Sequence, residues 1–354
     1  MRPTKGRGAV RNVAGRFERT THEPFDDGWG TADETPPPLL TVVTPEASRT
    51  ILCKNDSPDV PFDVSINPYK GCEHGCVYCF ARPTHAYLDL SPGLDFESRI
   101  FSKPAAPDLL RAALRKPGYR PTPIAIGTNT DPYQPTERKL GLTRRILEVL
   151  WEHRHPVSIV TKSNLILRDL DLISALAGEG LTSVHLSITT LDRELARRME
   201  PRAATPGRRL EAIETLHASG VPTGVMASPM IPGLNDAELD AIIEAAAKAG
   251  ASSAAYILLR LPHEVKELFV DWLRTHYPSK ERRVLNLLRE MRAGRLYEAG
   301  FGKRMRGSGP LADALQRRFT LACRRNGLQP ARGDLDCTRF RVPPRRGDQA
   351  TLFG

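Results

Sequence analysis

The run Asn67-Pro68-Tyr69-Lys70-Gly71-Cys72-Glu73-His74-Gly75-Cys76-Val77-Tyr78-Cys79-Phe80 decides how the rest of the chain is read. Three of the six cysteines fall within eight residues of it, spaced Cys-x3-Cys-x2-Cys. Six cysteines in 354 residues are too few for a disulfide scaffold, and three this crowded favour a metal centre. Gly71 and Gly75 let the backbone turn tightly, so the thiolates can wrap one side of a compact group. Two groups suit them. A [4Fe–4S] cube held by three thiolates leaves one iron open to a non-protein ligand. A closed zinc site needs a fourth ligand, which His74 or His85 would supply.

Outward from this run, Asp63–Asn67 alternates like a short strand leading into it. Apolar, β-rich runs recur at Pro123–Ile126, Val157–Thr161, Ser183–Ile188, Val221–Ala227 and Ala254–Leu259. Helical patterns separate them at Thr136–Trp151, Leu170–Ala177, Arg208–Ala218 and Ala237–Ala249. Six strands alternating with helices predict right-handed crossovers and a parallel sheet. The expected fold class is α/β, a partial (β/α)6 TIM-type barrel two units short of closure, with an open doubly wound sheet as the alternative. Either arrangement places chemistry at the carboxyl ends of the strands.

The two ends read differently. Residues 1–50, with Pro36, Pro37 and Pro38 in a row, read as a basic flexible tail and linker, and 51–278 as the barrel domain. Residues 279–342 read as a basic helical extension without strands, with helices over Glu281–Ala293 and Leu311–Asn326. A flexible tail, 343–354, follows. Of the net charge of +10, residues 1–20 carry +5 and 280–354 carry +11, leaving −6 between them. Basic ends on an acidic body suggest contacts to a polyanion such as nucleic acid; solvated Arg-rich surfaces are the ordinary alternative. A hydrophobic content of 40% and a charged content of 26% suit a globular protein. No run approaches the ~18 apolar residues of a membrane span, and no apolar segment follows the basic start. A cytoplasmic protein without membrane contact is expected.

The cysteine run, with aromatic Tyr78 just before its third Cys, resembles the radical S-adenosylmethionine (SAM) superfamily. More narrowly, Asn67–Cys72 and Thr130-Asp131-Pro132-Tyr133-Gln134-Pro135-Thr136-Glu137 resemble its DNA repair photolyase-like branch, related to spore photoproduct lyase. The resemblance spans about residues 50–275. It implies a [4Fe–4S] cluster on Cys72, Cys76 and Cys79, with SAM chelated at the open iron. One electron would cleave the sulfonium to methionine and a 5′-deoxyadenosyl radical, which abstracts hydrogen from a substrate. An oxygen-sensitive site at a dry barrel mouth, and an electron donor such as flavodoxin or ferredoxin, are implied with it.

The resemblance also implies SAM contacts at the strand ends. Tyr78 lies beside the cluster, and Thr128 and Asn129, after the second strand, are expected to accept from the SAM amino group. Lys162, after the third strand, is expected to pair with the SAM carboxylate, an ordinary surface lysine being the alternative. Ser187 on the fourth strand would meet a ribose oxygen or be a satisfied core serine. Asn235, in the loop Ser228–Asn235 after the fifth strand, would flank the adenine or cap the next helix.

Two positions depart from the lyase. It donates hydrogen from a Cys near the end of its second strand and carries a Tyr after its third cluster Cys. This chain has Thr128 and Phe80 there. A Thr O–H bond is too strong to serve as a thiol does, and Phe lacks the phenol, so thymine-dimer reversal by that route is not expected. The substrate stays open among nucleic acid, a peptide and a small metabolite, and a non-catalytic iron–sulfur DNA-binding or sensor protein is a third class. Cys53, Cys323 and Cys337 read as buried or incidental thiols. Lys303–Gly309 reads as a flexible basic loop, for phosphate or for acidic groups of the barrel. Finally, Gln349-Ala350-Thr351-Leu352-Phe353 resembles the pentapeptide by which bacterial repair and replication proteins dock on the sliding clamp, which implies that partner.

Overall fold

A computed structural model describes residues 4–18, 39–330 and 335–344. Six strands, Val64–Ile66, Ile124–Ile126, Val157–Thr161, Thr182–Ser187, Thr223–Met230 and Ser253–Leu258, lie side by side in chain order. Each pairs in parallel with the next. Among the described residues the ladder does not close on itself. Antiparallel Leu52–Lys54 flanks the first strand, and Gln329–Pro330 runs parallel to the sixth. Alternate strand residues such as Ile126, Ile159, Val184 and Val225 are buried with Ile146, Ile173, Leu216 and Ile242 in one apolar core. Those partners belong to the helices Leu142–Glu152, Leu170–Gly178, Pro206–Ala218 and Leu239–Lys248. Each such burial contributes about 1.5–3 kcal/mol. The fold is a partial (β/α)6 barrel.

The expected single helix Thr136–Trp151 is two, Glu137–Leu140 and Leu142–Glu152, parted by Gly141 at φ 61°. The Glu137 carboxylate turns back to accept the Leu142 (3.0 Å) and Thr143 (3.1 Å) N–H groups, capping the second helix and stabilising the break.

The start of the chain departs further from the expected tail. Within 4–18, Ala9, Val10 and Val13 are buried. Val42–Pro45 pairs with Arg99–Ser102, which pairs in turn with Tyr69–Lys70, a three-stranded sheet beside the cysteine run. No local periodicity announces this, because the partners are about 30 to 90 residues away in sequence.

After the sixth strand come helix Val265–His276, inside the span read as the barrel, and then Pro278–Glu290 and Pro310–Arg325, the expected basic helical extension. Gln329–Pro330 corrects the expectation that strands end before 279; its register with Ser253 and Ala254 is set by the barrel edge. Lys303–Gly309 is held by the barrel: the Met305 carbonyl accepts from Leu258 N (2.8 Å), and Arg304 pairs with Asp59 and Ser57. The loop thereby ties the end of the sixth strand to the turn before the first. Residues 335–344 run beneath the amino ends of the strands, with Phe340 against Tyr119 and His155 and Arg341 N donating to His153 O (2.9 Å). Gln349–Phe353 lies outside the described residues. Among the described residues no helix is long and apolar enough to cross a membrane.

Candidate functional site

The cysteine run leaves the first strand at its carboxyl end and folds back through two left-handed glycines, Gly71 (φ 77°) and Gly75 (φ 67°). A Cβ on Gly71 would stand 2.9 Å from the Phe96 carbonyl oxygen, so the approach there is glycine's alone. Cys72 and Cys76 are buried and Cys79 half-buried. Burial pushes all three thiols above their ordinary range, and Cys72 further through Asp131 and the other two sulfurs. Thiols so placed ionise together only around a cationic centre, the donor chemistry of an iron–sulfur site. Of the two histidines considered as fourth zinc ligands, each has one ring nitrogen near a second group. His74 Nδ1 lies 3.3 Å from Asp131 Oδ2, and His85 Nε2 is bonded to Arg99 O at 3.0 Å. Among the described residues, no three His, Cys, Asp or Glu side chains close on a single ion. Three thiols on one turn are a donor set that suits a [4Fe–4S] cube with one open iron.

Behind the run sits an ion pair that sequence reasoning missed. Arg82 and Glu97 both have fully buried side chains. Arg82 donates to the carbonyls of Cys76 (2.8 Å), Gly75 (3.1 Å), Pro92 (3.0 Å) and Gly93 (2.8 Å) as well as to Glu97, so all its N–H groups are used.

The two motifs that carried the resemblance turn out to be one interlock. Asn67 Oδ1 accepts from Asn129 N (3.1 Å) and Thr128 Oγ1 (3.4 Å). Thr130 Oγ1 donates to Tyr69 O (3.1 Å), and the Tyr69 hydroxyl to Glu137. Gln134, fully buried, donates to Gly71 O (3.2 Å) and accepts from Glu73 N (3.0 Å). Asp131 extends the lock to the third strand, accepting from Thr161 Oγ1 (2.6 Å) and Lys162 N (2.7 Å). Burial opposes its ionisation, but His74 and these donors outweigh it and lower its carboxyl pKa.

Of the expected SAM contacts, Tyr78, Lys162 and Ser187 come together around a residue the sequence reading overlooked, Glu200. The Lys162 ammonium donates to Ser187 Oγ and to Ser228 O (3.4 Å) and lies 3.4 Å from Glu200. The Tyr78 and Thr189 hydroxyls and Arg209 also reach Glu200. Burial opposes a charge there, yet Arg209, Lys162 and the two hydroxyls hold the carboxyl well below the usual carboxylate range. Thr128 and Asn129 sit on Asn67 beside the cysteine run, with Asn129 exposed. Asn235 corrects its expectation. Fully buried, it donates to Thr189 O (2.7 Å) and Pro229 O (3.0 Å) and accepts from Ile231 N (2.6 Å). It pins the loop after the fifth strand and does not cap the next helix with its side chain. Cys53, Cys323 and Cys337 lie apart from this cysteine run: Cys53 is exposed, Cys323 packs in the main core, and the Cys337 thiol donates to Leu335 O.

Comparison with known proteins shows the family. The model of the radical SAM superfamily matches residues 66–246. An uncharacterised protein of Mycobacterium tuberculosis (strain ATCC 25618 / H37Rv) is 39% identical over 247 residues, covering 68% of this chain and 73% of its own. One of Methanocaldococcus jannaschii is 32% identical over 173 residues, covering 49% and 62%. Among solved structures, a spore photoproduct lyase variant with bound AdoMet and dinucleoside spore photoproduct is similar, with a TM-score of 0.59 and 18% identity over 81% of this chain and 80% of that one. At that identity the likeness is one of fold. Cysteine spacing, the interlocked motifs and the matched span together place this chain in the radical SAM superfamily, to which it belongs.

Proposed function

We propose that the chain is an enzyme that holds a [4Fe–4S] cluster on Cys72, Cys76 and Cys79 and SAM across the neighbouring strand ends. Its reaction abstracts a hydrogen atom from a nucleic acid, in repair or modification. The observation that carries the first half is the buried three-thiol turn, bonded to the second-strand motif next to the Lys162–Glu200 centre. When bound, the cluster and SAM supply reductive cleavage of the sulfonium and an abstracting carbon radical. The chain's own residues orient and shield. Lys162 exchanges part of its pairing with Glu200 for the SAM carboxylate, and the exposed Asn129 side chain, with Thr128, accepts from the amino group. Ser187, bonded to Lys162, stands ready for a ribose oxygen. Tyr78, tied to Glu200 and Thr189, forms the wall beside the third Cys.

The substrate half rests on charge and on an aromatic at the run's end. Phe80 is 42% exposed, with the Arg260 guanidinium 4.9 Å from its ring centre. A base can stack on such a pair. The net +11 of residues 280–354 supplies a polyanion footprint. With Phe80 and Thr128 in place of phenol and thiol, the final hydrogen transfer differs from that of spore photoproduct lyase. A flavodoxin or ferredoxin as reductant, a cytoplasmic setting, and the sliding clamp as partner of Gln349–Phe353 belong to the same proposal.

Titrating single- and double-stranded oligonucleotides at several salt concentrations tests the substrate class. The expected result is binding that weakens steeply as salt rises. No binding at low salt would turn the reading to a peptide or small metabolite. A peptide of residues 345–354 is expected to bind purified clamp in the micromolar range, about −8 kcal/mol; no binding at ~100 μM would remove that partner.

A further inference from the structure

The segment 4–18 departs most from its sequence reading, and its contacts converge on the cysteine run. Gly8 lies flat against it: a Cβ there would stand 1.7 Å from the Gly75 carbonyl oxygen. The Gly8 and Ala9 N–H groups donate to the Glu97 carboxylate (2.9 and 2.8 Å), and Arg7 donates to the Glu97 carbonyl (2.6 Å). That carboxylate is the one Arg82 pairs with while holding the Gly75 and Cys76 carbonyls. Val10 is buried in the same apolar cluster as Cys76 and Val77. Farther along, Arg11 pairs with Asp271 (2.9 Å) and Arg16 with Glu264 (3.4 Å), on and just before the helix Val265–His276. The inner half of the segment therefore fits one geometry of the turn between Cys72 and Cys76, and the outer half anchors it to the helix Val265–His276.

We infer that residues 7–16 are a strap coupled to cluster occupancy. Strap docking holds the turn in the form that presents its thiolates, and the loaded cluster, by fixing that turn, holds the strap. Such coupling is reciprocal by thermodynamic necessity. Loss of the cluster releases the strap and opens Arg7, Arg11 and Arg16 to proteolysis, marking the empty protein. The inference rests on the cluster reading proposed above.

Limited trypsin digestion of the full chain, anaerobically reconstituted against chelator-stripped, tests it without reference to activity. Cleavage after Arg7, Arg11 and Arg16 is expected to be about tenfold slower in the loaded form, a factor worth about 1.4 kcal/mol. A second arm uses Gly8→Ala, the smallest change that meets the Gly75 carbonyl, with Gly178→Ala as control because a Cβ there meets nothing within 4 Å. The Gly8→Ala chain should lose its absorbance near 400 nm in air about tenfold faster than the parent, and Gly178→Ala at the parental rate. Equal cleavage in the two forms overturns the inference, as does a folded Gly8→Ala chain that keeps its cluster as long as the parent. Should Gly8→Ala not fold, the digestion of the unaltered chain decides. If the unaltered chain binds no iron, the proposed function fails; if it binds iron and the cleavage rates are equal, only the strap does.

Discussion

Two buried carboxylate–arginine pairs flank the site, and they are built to opposite ends. Glu97–Arg82 has both side chains fully buried, and every Arg82 donor is spent on a carbonyl or on Glu97. Glu200–Arg209 is as deeply buried, at 1% exposure for each side chain, but its carboxylate also faces Lys162, which is 16% exposed at the mouth. The first pair is closed and can only hold. The second is open on one side, so its charge can change partners when a zwitterion arrives. On the proposed function, the closed pair would be a fixed cup for the cluster and the open pair an exchangeable charge for SAM.

Breaking the closed pair should cost most. Glu97→Ala leaves a buried guanidinium without its counter-charge, a loss of about 3–5 kcal/mol on urea titration. Iron content should fall with it, because Arg82 releases the Gly75 and Cys76 carbonyls. A stability loss below ~1 kcal/mol would mean that Arg82 finds water or another partner, and that the cup is not closed.

The open pair should respond in binding. Lys162→Ala is expected to weaken SAM binding by on the order of 2–4 kcal/mol with cluster content intact, read by equilibrium titration of the reconstituted protein. Unchanged affinity would make Lys162 a structural partner of Glu200 alone. Glu200→Gln should act in the opposite sense, removing the anion that competes for Lys162 and tightening SAM binding about fivefold, near 1 kcal/mol. A weakened affinity would show instead that Glu200 positions the lysine.

A further effect should appear with pH. Burial lowers His85 and His155 to a pKa of about 4, below the usual ~6.5. Between those values the unfolded chain binds more protons than the folded one, so this stability is present above about pH 6.5 and is lost as pH falls toward 4. Glu200 and Asp131, held low, add a further loss below about pH 4.3. His155→Gln should flatten the upper limb by at most about 3 kcal/mol and leave the lower limb unchanged. An unaltered upper limb would place the titration elsewhere.

The six barrel strands and the cysteine run were legible because both are local: an apolar, β-rich run marks each strand within three residues, and the thiol spacing needs no distant partner. The interlock was half legible. Thr130–Glu137 stood out as a motif, but that Gln134 grips Gly71 and Glu73 from about 60 residues away could not be read from it. Both arginine–carboxylate centres were illegible, since Arg82, Glu97, Glu200 and Arg209 look in sequence like any charged surface, and only burial separates them from it. Asn235 was half legible: its place in the loop after the fifth strand stood out, but that its amide is spent on three backbone groups could not be read.

The central claim, that the three-thiol turn drives reductive SAM chemistry, is tested most directly by incubating anaerobically reconstituted protein with SAM and dithionite and measuring 5′-deoxyadenosine. The account predicts its formation by the parent chain and by Cys53, Cys323 and Cys337 variants. Cys72→Ala, Cys76→Ala and Cys79→Ala should each lose both the product and the absorbance near 400 nm. Stoichiometric zinc without iron in the parent chain, or an iron-loaded parent that leaves SAM intact, would contradict it.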